Sequence, residues 1–103
     1  MNIEREILSF IKKNYSRKKF LFWGAVNPVS LETDIREDLK VLYEDAGDLF
    51  TYFFHNWKVE FNDFSLDRYF SPEYLGSPSP KNPLEPITIN MLVESAKAGQ
   101  WLY

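Results

Sequence analysis

The sequence predicts a single all-α domain, and three observations lead to that prediction. Apolar residues recur with the spacing of a helix face in three segments, near residues 3–15, 44–57 and 87–99. No stretch of comparable length alternates apolar and polar residues as a half-buried strand does. The chain has 103 residues, 45% of them hydrophobic, which suits one soluble domain with one core. We therefore assign residues 1–103 to one helical domain.

The first predicted helix begins after Asn2, whose side chain is of a type that caps helix N-termini. A basic cluster at residues 17–19 suits the C-terminal end of this helix, where cations meet the negative end of the helix dipole. A phosphate or nucleic-acid site is the alternative interpretation of that cluster. The face that we expect to be buried consists of Ile3, Ile7, Leu8, Ile11 and Tyr15.

The connection to the second predicted helix contains the longest purely apolar run of the chain, residues 20–26. This run is far shorter than the roughly 20 residues that span a bilayer. We expect it to fold over the core or, where it is exposed, to form a contact patch. Thr33 then starts a short helical turn, "TDIREDL", with acidic residues in its first turn.

The second predicted helix, residues 44–57, gives the strongest periodic signal in the chain. Fully burying each large side chain contributes roughly 1.5–3 kcal/mol, so its apolar face contributes on the order of 10 kcal/mol. We interpret this aromatic stripe as core rather than as a cofactor-binding surface. Its members, at i, i+3, i+4, i+7, i+8 and i+11, are Ala46, Leu49, Phe50, Phe53, Phe54 and Trp57.

Two connecting segments separate the second helix from the last one. Residues 59–70 predict an extended link followed by a short helical turn that ends near Phe70. Residues 71–86 contain five of the six prolines, so we expect a wrapped or mobile connection without regular structure.

The last predicted helix lies within residues 87–99 and has recognisable ends. Thr88 is its expected N-cap, Ile87 can pack against Leu92, and Gly99 stands where a left-handed C-terminal residue belongs. We expect residues 101–103 to pack back as an aromatic tail. The inward face is predicted to be Ile89, Leu92, Val93 and Ala96.

No group of residues in the sequence points to catalysis, and we expect the protein not to be an enzyme. The absence of cysteine excludes disulfides, thiolate metal sites and thiol catalysis. His55 is the single histidine and has no recognisable nucleophile to activate. The acids around Asp63 lack the ligand spacing of a calcium loop, and the glycines are too scattered for a phosphate loop. We therefore predict no cofactor, no metal ion, no nucleic-acid or membrane partner, and a cytoplasmic location.

Charge is unevenly distributed along the chain. The net charge is −3, but residues 1–22 are predominantly basic whereas residues 23–48 are predominantly acidic. An acidic surface of this kind repels nucleic acid and attracts basic protein surfaces. The alternative interpretation is that these carboxylates only solvate helix ends.

The segment "EDLKVLYEDAGDLFTYFFHNWKVEF" resembles the corresponding part of acyl carrier proteins. Residues 37–39 match the Glu-Asp-Leu lead-in of that family, while Leu49, Trp57 and Val59 match apolar positions of its main helix and the residue beyond. The resemblance implies a carrier-like helical bundle, with an additional C-terminal helix. Tyr43 occupies the place of the serine that carries 4′-phosphopantetheine in carriers, which argues against carrier activity.

The chain is also similar to a family of small enterobacterial proteins of unknown function with a carrier-like fold. This resemblance covers about residues 30–103 and depends on "TDIREDL", "EDAGDLFTYFFHNWKVEFNDFSLDRYFSPE" and "PITINMLVESAKAGQWLY". It implies a fold without implying a substrate.

The resulting hypothesis is a non-catalytic interaction module that binds a basic protein partner, with an immunity protein that neutralises a toxin as one version. Carriers meet partners through the acidic main helix and the loop before it, which implies a partner-binding set here. A true carrier primed at Ser30 or Ser71, and a helical domain that takes an acyl chain or a similar apolar ligand, are the alternatives. The implied partner-binding residues are Glu37, Asp38, Tyr43, Glu44, Asp45 and Asp48.

Overall fold

The computed structural model describes residues 2–15, 29–72 and 83–103. These ranges contain three α-helices, α1 (Ile3–Tyr15), α2 (Tyr43–Asn56) and α3 (Ile89–Ala98), and a 3₁₀ turn at Leu66–Arg68. They contain no β-strand, only two isolated bridges, so the all-α prediction is confirmed for them. The basic cluster at residues 17–19, the apolar run at 20–26 and much of the proline-rich connection lie outside the described residues.

Helix α1 forms as its apolar spacing predicts. The Oδ1 atom of Asn2 accepts a hydrogen bond from the backbone N–H of Arg5 at 2.9 Å, which satisfies one free donor of the first turn. Ile7 and Ile11 are fully buried, and α1 packs against α3. This contact places the apolar face of the first helix against the last helix in the chain.

Helix α2 supplies the largest part of the core. It begins at Tyr43, one residue before the predicted start, and Trp57 is its C-cap rather than its last helical residue. Trp57 is only partly buried, so the predicted face is confirmed with this exception at its end. The buried residues of α2 are Ala46, Leu49, Phe50, Phe53 and Phe54.

Side-chain contacts show that α1 runs antiparallel to α2. Near the start of α1, the Glu6 carboxylate accepts a hydrogen bond from the Trp57 indole N–H at 3.0 Å. One turn later along α1, the rings of Phe10 and Tyr52 stack with their centroids 4.7 Å apart. The later residue of α1 therefore meets the earlier residue of α2, which directs the end of α1 towards the start of α2.

Helix α3 has both of its predicted caps. The Thr88 hydroxyl accepts a hydrogen bond from the N–H of Met91 at 3.3 Å, and Gly99 has a left-handed φ of 78°. The inward face is buried as predicted: Ile89, Leu92, Val93 and Ala96. In the C-terminal tail Trp101 is buried, whereas Leu102 and Tyr103 each keep nearly half of their surface exposed. The predicted packing of the tail therefore holds for Trp101 alone.

Backbone hydrogen bonds attach each end of α3 to a distant segment. Before the helix, the carbonyl of Ile87 accepts from the N–H of Ile35 at 2.8 Å. After the helix, the N–H of Trp101 donates to the carbonyl of Glu60 at 2.8 Å. These bonds satisfy backbone groups that would otherwise be buried without partners, and they fix the position of the last helix.

The short helical turn predicted from Thr33 is present as a single turn at residues 35–39. One helical hydrogen bond, from the N–H of Asp38 to the carbonyl of Asp34 at 2.9 Å, is present there. The Asp34 carboxylate accepts from the N–H groups of Arg36 and Glu37 at 2.9 and 2.8 Å. The Asp34 side chain therefore stabilises this turn through direct hydrogen bonds to its backbone, as Asp side chains commonly do.

Alanine substitutions at Gly47 and Gly99 should change the free energy of unfolding in opposite directions. Gly47 lies inside α2, where a Cβ would be 4.0 Å from Leu66 Cδ2, an ordinary contact. Gly47→Ala should therefore raise the free energy of unfolding by about 0.5–1 kcal/mol through helix propensity. Gly99→Ala should lower it by about 1–2 kcal/mol, because φ at this position is +78°. Urea titrations of both variants check the signs, and a destabilised Gly47→Ala would contradict the first expectation.

Candidate interaction surface

Three of the predicted partner-binding residues form one surface. Glu44, Asp45 and Asp48, which we call the acidic face of α2, lie exposed on its first two turns. Asp48 lies four residues after Glu44 and three after Asp45, and both spacings make it a neighbour of the earlier acid on the helix surface. None of the three forms an ion pair within the part of the chain that the structure describes. Glu44 and Asp45 also stabilise α2 by lying at the positive end of its dipole.

The two acids of the preceding turn have partners within the chain. The Glu37 carboxylate lies 3.1 Å from Nε of Arg36, and the Asp38 carboxylate accepts from the backbone N–H of Asp34 at 2.8 Å. Both residues are exposed. The structure therefore separates this predicted set into a turn with local contacts and the acidic face of α2, whose carboxylates have no ion-pair partner among the described residues.

Tyr43 is the first residue of α2 and is partly buried. Its hydroxyl lies 2.9 Å from Oδ1 of Asp67, in the 3₁₀ turn. This hydrogen bond connects the start of α2 to a segment 24 residues further along the chain. The contact gives the tyrosine a structural role at the position implied for the carrier serine.

The C-terminal end of α1 lies close to the acidic face of α2. The pKa of Tyr15 is raised, first by burial and then by the negative charges of Asp45 and Asp48. Both carboxylates therefore act electrostatically on the phenol of the last residue of α1, an effect that weakens with distance. Leu42, just before α2, is 55% exposed and adds an apolar side chain next to the acids.

A second feature, which we call the α2 groove, lies along α2 beside residues 59–66. It is an open, largely apolar depression of about 1020 Å³. Thr51, His55 and Lys58 are among its polar lining residues. Phe61 keeps 62% of its surface exposed there although it is a large aromatic residue. The apolar lining consists of Phe50, Phe54, Val59, Phe61, Phe64 and Leu66.

Our sequence interpretation did not identify this groove. The available signals were a glycine inside a predicted helix and the aromatic residues Phe61 and Phe64, which do not continue the helical spacing. Neither signal shows that residues 59–66 fold back beside α2. That arrangement depends on long-range bonds such as the one between the N–H of Glu60 and the carbonyl of Gly99 at 3.0 Å.

The described residues offer little for other kinds of site. They contain no group of three or more His, Cys, Asp or Glu side chains that could hold a metal ion. His55 is exposed on α2 at the edge of the groove. None of the described helices has the length and apolar character needed to cross a membrane.

The comparisons with known proteins identify a family without assigning an activity. A family model described as a protein of unknown function, DUF1493, matches residues 1–103. No curated protein and no solved structure gives a significant match. The family match agrees with the resemblance to proteins of unknown function, and it covers the whole chain. The chain therefore belongs to DUF1493, a family of proteins of unknown function.

Proposed function

We propose that this domain is a non-catalytic interaction module that binds a basic protein partner through the acidic face of α2. The observation that carries the proposal is that Glu44, Asp45 and Asp48 are exposed and form no ion pair with described residues. Such carboxylates can meet cations of a partner without first breaking salt bridges to the described residues. Surfaces of this kind increase association rates and select partners of opposite charge.

We further propose that the fold is acyl-carrier-like and that the domain does not carry a prosthetic group. The order of elements supports the first part, since the antiparallel pair α1 and α2 is followed by a short turn and a helix against α1. Tyr43 supports the second part, because a phenol replaces the serine hydroxyl and bonds Asp67. The partner would then recognise the protein surface alone.

Reversal of the three charges tests the proposal. We expect a tagged Glu44→Lys/Asp45→Lys/Asp48→Lys protein to lose the basic partner that the wild type captures from the lysate of its native host. A matched control carries the same charge change at three other exposed acids, Glu32, Asp63 and Glu94. Mass spectrometry identifies captured proteins, and circular dichroism verifies that both variants keep their helices.

The control separates a specific surface from overall charge. Equal capture by wild type and the α2 variant would contradict the proposal, as would equal loss in both variants. A basic toxin among the specifically captured proteins would identify an immunity protein. A biosynthetic enzyme would instead identify a carrier-like regulator.

A further inference from the structure

We propose that the α2 groove is a docking site for an amphipathic helix of the partner protein. In this arrangement apolar side chains of the partner helix fill the groove, and its basic residues meet Glu44 and Asp48. This inference depends on the proposed function, because the same basic partner supplies the helix. It adds the groove as a second contact surface and states the secondary structure of the partner segment.

The aromatic lining of the groove has a defined shape. The ring of Phe61 lies edge-on against Phe54 with a centroid distance of 4.8 Å, and Phe64 lies 4.9 Å from both Phe50 and Phe54. Phe61 therefore contacts the core through Phe54 while 62% of its surface is exposed. Exposed aromatic side chains beside a pocket are favourable anchors because they bury a large apolar surface when they bind.

The length of the groove suits a short helix. Gly47 and His55 both line it, and their separation of eight residues corresponds to about 12 Å along the axis of α2. A partner helix of about two turns covers this distance and presents apolar side chains at i, i+3 or i+4, and i+7. Gly47 has no side chain to narrow that end of the groove.

The charges along the groove favour a basic occupant. Glu44 lies three residues before Gly47 and Asp48 three residues before Thr51, so each acid is a helix-surface neighbour of a lining residue, although neither acid lines the groove itself. Farther along the groove, Lys58 and Glu60 both line it and carry opposite charges. Because Lys58 and Glu60 offset each other, the net charge around the groove is negative and comes from the two acids near the start of α2. Basic residues near one end of the partner helix complement this distribution.

A defined peptide provides the test. The probe is a 15-residue peptide of leucine and lysine, with the leucines at i, i+3, i+4 and i+7, titrated into ¹⁵N-labelled protein and followed by NMR. We expect saturable binding that shifts resonances of residues 47–66. A scrambled peptide of the same composition should bind at least about tenfold more weakly, because it cannot present one apolar face. The variant Phe61→Ser should weaken binding by about tenfold or more.

Matched variants make the result specific. Tyr103→Ser removes another half-exposed aromatic residue that does not line the groove and should leave the affinity unchanged. Glu44→Lys/Asp48→Lys should weaken binding, whereas Glu32→Lys/Glu94→Lys, with the same charge change, should weaken it much less. Thermal unfolding of each variant verifies that the fold is retained.

Several outcomes would overturn the inference. Equal binding of the scrambled peptide, or no effect of Phe61→Ser, would indicate adsorption by charge alone. Binding of decanoate, but not of the peptide, with shifts in residues 47–66 would assign the groove to an apolar small molecule. Self-association that Phe61→Ser abolishes would assign it to a second copy of the chain. If Phe61→Ser retains the captured partner while charge reversal on α2 loses it, the proposed function stands and docking in the groove is wrong.

Discussion

Replacing Phe53 with alanine should lower the free energy of unfolding by about 3–5 kcal/mol. Phe53 has no exposed surface, and its ring contacts Phe50, Phe54 and Trp57 at centroid distances of 6.2, 5.3 and 5.8 Å. The substitution therefore removes buried apolar surface and leaves a cavity among side chains that cannot fully collapse into it. Aromatic contacts add to the loss beyond the buried area.

Urea-induced unfolding followed by circular dichroism measures this loss, with His55→Ala as the control. His55 lies on the same helix two residues later but is exposed, so its replacement should change stability by less than about 0.5 kcal/mol. Similar stabilities of the two variants would contradict the assignment of Phe53 to the core. Because the loss is a large fraction of the stability of a domain of this size, Phe53→Ala should also lower the melting temperature.

The helices could be predicted from the sequence because local spacing specifies them. The apolar positions of α2 follow the period of a helix, and all of its predicted inward residues except Trp57 are buried. The caps of α3 were equally predictable, since Thr88 and Gly99 act on backbone groups within a few residues of themselves. The information needed for each of these elements lies within about one helix length.

The α2 groove could not be predicted in the same way, because it depends on contacts between distant segments. Residues 59–66 lie beside α2 partly because Glu60 bonds both Gly99 and Trp101 through its backbone. No side-chain pattern encodes such backbone pairing. The aromatic residues of this segment were therefore recognisable as apolar, whereas their role as a groove wall became apparent only from the fold.

The acidic residues show a second limit of prediction from the sequence. Glu37 and Glu44 are both exposed acids near the start of α2, yet only Glu37 has an ion-pair partner among the described residues. A sequence identifies charged residues, but whether each carboxylate is already paired depends on turn geometry. The distinction matters for function, because a carboxylate that is already paired contributes less to a new contact than one that is not.

The turn at residues 35–39 leads to a second large expected effect, at Asp34. The carboxylate of Asp34 accepts three backbone hydrogen bonds, from Arg36, Glu37 and, 53 residues later in the chain, Ile87 at 3.1 Å. Arg36, placed by this turn, donates through its guanidinium to the carbonyls of Tyr69 and Glu85 at 2.6 and 2.9 Å. Asp34 therefore connects the turn directly to the segment before α3. Through Arg36 it also connects the turn to the residues that follow the 3₁₀ turn.

Asp34→Ala should lower the free energy of unfolding by about 2–4 kcal/mol, because three donors lose a charged acceptor and the Ile87 N–H is partly shielded from water. Asp34→Asn should lower the free energy of unfolding by about half as much. Its one amide oxygen can accept from the N–H groups of Arg36 and Glu37, but its NH₂ group then faces the N–H of Ile87 as a second donor.

Asp63→Ala, at an exposed acid, is the control and should have little effect on stability. An Asp34→Asn variant as stable as the wild type would show that the bond to Ile87 contributes nothing. In that case the position of α3 would depend on its apolar face and on the backbone pairing of Ile35 with Ile87.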